Sequence, residues 1–157
     1  MRRIWIIASL ILIGCCGYTT RAMLPAYMRT IYVQPVENKT LRPLLAENLR
    51  DGLVLAFTRN GRLRVSSDPS ADLSLTVTIT SYKRTAAVYD ASRNVSQWRY
   101  ELRFEGECRD QVKNTVLWDE RKTTSEVLDA SMDEEEGIRK LLERAADEIV
   151  RSTLLAW

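Results

Sequence analysis

The chain has no histidine, only three cysteines and almost no surplus of either charge. Without histidine there is no Ser-His or Cys-His pair to activate a nucleophile. The carboxylates fall on water-facing strand positions or helix starts rather than around a shared pocket. A non-enzyme is therefore expected, with no cofactor and no metal. The 23 basic residues stand against 21 acidic ones, so the basic surplus of a nucleic-acid footprint is absent and no such partner is expected. No internal repeat or low-complexity segment is present.

What the sequence does have begins at its start. Arg2 and Arg3 precede an apolar run over residues 4–13, broken only by Ser9, and Gly14-Cys15 follows at once. Ten residues fall well short of the ~20 needed to span a bilayer as a helix. A charged start, an apolar stretch and a small residue are the layout of a secretory leader. Leu12-Ile13-Gly14-Cys15 resembles the lipobox cut by lipoprotein signal peptidase, where the cysteine thiol takes the lipid. Cys16 is the rival site, but it would put Cys15 at the small-residue position, a poorer fit. The expected division is a signal over 1–14, a lipidated tether over 15–29 and one domain over 30–157. Such a cysteine is triacylated, and stable anchoring takes about two chains, so the anchor is permanent. Cys16 is not the aspartate that retains many such lipoproteins in the inner membrane, and this favours the outer membrane.

Removal of residues 1–14 takes away Arg2 and Arg3 and no acidic residue, leaving 143 residues with 21 charges of each sign. That length suffices for one domain with a real core. With one cysteine committed to lipid, Cys108 reads as a buried small apolar residue rather than half of a disulfide.

Residues 30–36 read as a strand closed by Pro35 and a turn at Glu37-Asn38. Leu45, Leu49, Leu53, Ala56 and Phe57 recur at helical spacing, with Thr40 as N-cap and Asn60-Gly61 as stop. Residues 62–66 are extended and lead to a turn at Asp68-Pro69. From Ala71 the period becomes two. Leu73, Leu75, Val77 and Ile79 point one way. Farther on, Trp98, Tyr100, Leu102, Phe104 and Cys108 oppose Arg99, Glu101, Arg103, Glu105, Glu107 and Arg109. One face is core and the other water. A third strand covers 116–125. A last helix takes Ser131 as cap and Glu134 as its capping-box partner. Its core stripe is Ile138, Leu141, Leu142, Ala145 and Ile149. Its acidic start matches the helix dipole, which explains the acidic run better than a calcium or magnesium site. These elements predict an α+β two-layer sandwich, two helices on one face of a roughly four-stranded mixed sheet.

Several of these motifs carry a resemblance. Cys16-Gly17-Tyr18, Leu24-Pro25 and the run from Ile31-Tyr32-Val33-Gln34-Pro35 to Val36-Glu37-Asn38-Lys39-Thr40 resemble the start of LptE-family lipoproteins. So do Ile79-Thr80-Ser81-Tyr82, Tyr89-Asp90, Asn94-Val95 and Trp98-Arg99-Tyr100. The resemblance covers most of the mature chain and implies two helices on one face of a four-stranded sheet. It also implies a non-catalytic role in the last step of lipopolysaccharide export. There the protein plugs the LptD β-barrel of the outer membrane, helps it assemble and binds lipopolysaccharide. Similar segments occur in other envelope lipoproteins, so the alternative is a periplasmic lipoprotein of related fold serving a lipid-transport or secretion machine.

Guanidinium and ammonium groups suit the phosphates of such a glycolipid. Lys83, Arg84 and Arg93, around the connection between the two long strands, are the candidates, with only Asp90 nearby; an ordinary solvated loop is the other reading. Arg99, Arg103 and Arg109 are expected to pair instead with Glu101, Glu105 and Glu107. For the anchor, mass spectrometry of the mature N-terminal peptide should find acylated Cys15. An acylated peptide starting at Cys16 moves the site, and an intact unmodified N-terminus removes the lipoprotein reading.

Overall fold

The computed structural model describes residues 24–156. The expected signal, Cys15 and Cys16 lie outside the described residues. Chain order is β1 (Thr30–Val33), β2 (Glu37–Asn38), α1 (Leu45–Asn60), β3 (Arg64–Ser66), β4 (Leu73–Tyr89), β5 (Val95–Asp110), β6 (Thr115–Asp129) and α2 (Glu134–Leu155). The sheet runs β3-β1-β4-β5-β6, with β2 also on β4. β1 is parallel to both its neighbours, whereas β4, β5 and β6 are antiparallel. The architecture is α+β, two helices against one mixed sheet, as the sequence predicts. The sheet has six strands rather than four because β2 and β3 are two and three residues long, too short to show a period.

The alternation of β4 and β5 does what a period of two requires. Leu73, Leu75, Val77, Ile79, Tyr100, Leu102, Phe104 and Cys108 are all buried, together with the α1 and α2 stripes named above. Burial pushes the Cys108 thiol up to about 12, helped by the negative charges of Asp110 and Glu107. The alternation is first interrupted by a bulge between Ile79 and Ser81, where the Thr80 hydroxyl donates to the Arg103 carbonyl at 3.2 Å, and the register shifts again after Ala86 and after Val88. One extra residue reverses the parity of the residues that follow it up to the next shift. Tyr82 and Arg84 therefore face the helices, and Lys83 faces away, opposite Glu101.

Several local expectations are corrected. Glu37-Asn38 is not a turn but a short parallel pairing with Thr78 and Ile79. The strand breaks between β1 and β2 around Pro35, just after the Gln34 N–H donates to the Leu75 carbonyl at 2.9 Å. Thr40 does not cap α1. Its N–H and hydroxyl donate to Asn38 Oδ1, and the helix starts only after Pro43, with Leu44 left-handed at φ 62° and no side-chain cap. Gly61 ends α1 at φ 72°, as expected. Ser131 does not cap α2, because its N–H and hydroxyl both donate to Asp129. Asp133 is the cap and accepts from the Glu135 N–H at 3.1 Å. The packed chain also starts earlier than Thr30. Met28 is buried, Leu24 and Tyr27 pack on the core, and Tyr27 donates to Asp110 at 2.6 Å.

Phe104 is 1% exposed, whereas Arg103 beside it lies on the water side. Phe104→Ala should cost roughly 3–5 kcal/mol and Arg103→Ala under about 1 kcal/mol in denaturant melts. Equal losses would mean that the register of β5 is wrong.

Candidate functional site

With both helices on one side, the other face of β4, β5 and β6 is left to polar residues. Three strands of 17, 16 and 15 residues make this surface, roughly 50 Å along the strands. The 22-residue α2 covers only about 33 Å of the opposite face. Most charges of the open face pair among themselves. Arg103 reaches Glu101 at 3.1 Å and Arg109 reaches Glu107 at 2.9 Å, both two positions along one strand. Glu105 instead meets Arg121 across on β6 at 2.8 Å. Thus Arg103 and Arg109 pair as expected, whereas Arg99 has no ion pair among the described residues.

The three hairpin candidates are not brought together. Lys83 and Arg84 lie inside β4 rather than in the connection, on opposite faces of the sheet. Arg93 sits at the tip with φ 66°, in a turn where Asp90 accepts the N–H groups of Ser92 and Asn94. Lys83 is exposed, makes no ion pair among the described residues, and shares the open face with Arg99, whose partner across the ladder is Thr85. The Lys83–Arg99 neighbourhood is invisible without the bulge at Thr80.

Arg84 has another environment. Its guanidinium lies 4.1 Å from the Trp98 ring centre and 5.5 Å from that of Tyr100. It also donates to Glu134 at 2.6 Å. Arg42, from the loop before α1, takes the other Glu134 oxygen at 3.3 Å and also bonds Glu135. Two arginines thus fasten the start of α2, spending much of the acidic run expected there. Gly137 lets the helix approach: a Cβ there would sit 2.6 Å from Cζ of Tyr100. Nothing in the sequence period pointed to Arg42, Tyr82 or Glu134 as one cluster.

The same junction holds three buried polar atoms without a protein partner, the Tyr82 and Tyr100 hydroxyls and Arg84 Nε. Burial, then the charge of Glu134, pushes the Tyr82 phenol up to about 12. The arrangement fixes a helix to a strand end.

A family model described as LptE, lipopolysaccharide-assembly, matches residues 28–153. No curated protein sequence matches the chain. Among solved structures, a protein of Xanthomonas campestris is 15% identical with a TM-score of 0.62, over 84% of this chain and 89% of that one. A PelC dodecamer variant of Paraburkholderia phytofirmans gives 14% and 0.58, over 83% and 91%. A minor lipoprotein of Acinetobacter baumannii gives 14% and 0.53, over 81% and 93%. At these identities the likeness is one of fold.

Because the folded Tyr82 value lies above the ordinary 10.0 of an unfolded chain, its neutral form supports the fold fully below pH 10. That support is lost as pH rises from 10 through 12. Tyr82→Phe should flatten this alkaline decline in melts at stepped pH and leave stability at pH 7 unchanged or higher, since an unpartnered hydroxyl goes with it. An equally steep decline in the variant would show that other groups cause it.

Proposed function

The chain belongs to the LptE lipopolysaccharide-assembly family, and on that premise we propose that it is an outer-membrane lipoprotein that plugs an LptD-like β-barrel. In this reading acyl chains on Cys15 hold it to the bilayer, and it helps the barrel assemble and binds lipopolysaccharide without covalent chemistry. One observation carries the proposal: a broad open sheet face on which Arg103, Arg109 and Arg121 each pair with a glutamate of the same face. A barrel lumen is polar, and a plug must meet it without leaving unpaired charge in a narrow, poorly hydrated gap. Internal pairing supplies such a surface in advance.

Lipopolysaccharide phosphates need cations that are not already spent. Lys83 on the open face and Arg93 at the hairpin tip meet that need, and Arg99 joins Lys83. Arg84 contributes by holding the strand end to α2, since its charge is committed to Glu134. The alternative, service to another lipid-transport or secretion machine, shares the fold and differs in the partner.

Wild-type protein purified from outer membranes should carry a large β-barrel with it. Recovery of a transporter or secretion channel instead would replace the plug reading. Lys83→Ala with Arg93→Ala and Arg99→Ala should weaken lipopolysaccharide binding by roughly tenfold at low salt, where screening is least. Melting should hardly change, because these side chains are exposed. Undiminished binding would remove these residues from the site.

A further inference from the structure

We propose that the end of the domain where the tether enters is a docking surface for anionic phospholipid headgroups. The lipids are those of the leaflet that holds the acyl anchor, so the proposal rests on the lipid-anchor reading. The topology collects this end from distant parts of the chain. The parallel strands β1, β3 and β4 all start there, β5 finishes there and β6 begins there. α1 stops just before β3, and the Trp118–Thr153 hydrogen bond of 3.2 Å ties the last turns of α2 to the start of β6. Leu24 and Tyr27 bring the chain in at the same end, Tyr27 bonding Asp110. Cys15 is nine positions before Leu24, a reach of at most roughly 30 Å. This end therefore stays close to the bilayer.

The charge at this end is arranged differently from the open face. Arg62, Arg64 and Arg151 have no ion pair among the described residues, whereas Arg59 meets Asp147 at 2.6 Å. Arg59, Arg62 and Arg151 surround an open cleft of about 440 Å³ between the helix ends, lined on its apolar side by residues that include Leu154 and Leu155. Of its lining residues only Asp147 is acidic, and Glu148 beside it is engaged by Thr124 and Arg144. Leu155 is 67% exposed, and Val112 in the β5–β6 turn, next to Lys113, is 62% exposed. Cations beside exposed apolar side chains suit a headgroup layer, where phosphates lie just above the acyl boundary. A simpler account, cations near helix C-termini, covers Arg59 but not Arg62 and Arg64, which lie beyond α1.

The test uses the whole mature chain with Cys15→Ser and Cys16→Ser, so that no acyl chain contributes. It is sedimented with vesicles of phosphatidylglycerol and phosphatidylcholine, and with vesicles of phosphatidylcholine alone. The chain should bind the anionic vesicles, release them at high salt and ignore the neutral ones. Arg62→Glu with Arg151→Glu should lower the bound fraction at least about fivefold, and Arg62→Gln with Arg151→Gln by less. Arg50→Glu with Arg139→Glu, the same charge change on outer helix faces, should lower it less than about twofold. Melting curves confirm that each variant is folded, and the glutamine pair serves if the glutamate pair is not. Equal binding to neutral vesicles, no binding to anionic ones, or equal losses in both charge-reversed pairs would overturn the proposal. Displacement by inorganic phosphate at constant ionic strength would overturn it too, assigning the cleft to a soluble anion. Whether Cys15 is acylated is decided separately by the N-terminal peptide, so the two readings fail independently.

Discussion

Leu75, Val77, Ile79, Leu102 and Phe104 turn to one side of the sheet, and burying them under α1 and α2 holds the two layers together. Each fully buried side chain of this size contributes about 1.5–3 kcal/mol, so the face as a whole outweighs any surface ion pair. The same alternation leaves a reverse face made mainly of polar and charged side chains, with Val116 and Val127 exposed among them. The helix layer and the open surface are therefore two results of one pattern, and neither can change without the other.

That pattern was readable in the residues. The apolar stripe at Leu45, Leu49, Leu53, Ala56 and Phe57, and the one at Ile138, Leu141, Leu142, Ala145 and Ile149, fall where helical spacing puts them. What failed was local. Thr40 and Ser131 had the right chemistry to cap, but Asn38 and Asp129 bonded them first. Competition among neighbouring polar groups for the same donors leaves no trace in periodicity. β2 was read as a turn, and β3 only as extended chain, because they gain their hydrogen bonds from β4 and β1, not from any preference of their own.

The candidate site was less legible for a sharper reason. Lys83 and Arg84 are adjacent, and treating the strand as unbroken gives no ground for the environments they find. The bulge at Thr80 decides between helix face and open face for the residues that follow it as far as Ala86, where the register shifts again. It sends Arg84 under α2, onto Trp98 and Glu134, and leaves Lys83 beside Arg99. Arg84 then exchanges a mobile charge for a fixed one. Its stacking and its bond to Glu134 join α2 to the strand end, and Arg42 draws the loop before α1 into the same junction. A residue singled out for its charge thus has that charge engaged within the fold.

The two uses of arginine on this molecule follow from how much water each surface keeps. On the open face, Arg103, Arg109 and Arg121 are each answered by a glutamate within 3.1 Å. Pairing of this kind adds little while the face is exposed to water. Its value appears if the face is enclosed, because an unpartnered charge in a dry gap is far more costly than a paired one. At the tether end the opposite holds. Arg62, Arg64 and Arg151 have no ion pair among the described residues, and exposed cations cost little in water while staying available to external anions. The charges around Glu101 and Arg109 answer one another, whereas Lys83 and Arg99 toward the other end of the same face keep theirs. On the proposed reading, the paired arginines of the open face suit enclosure by a barrel, and the unpaired ones at the tether end suit a charged layer.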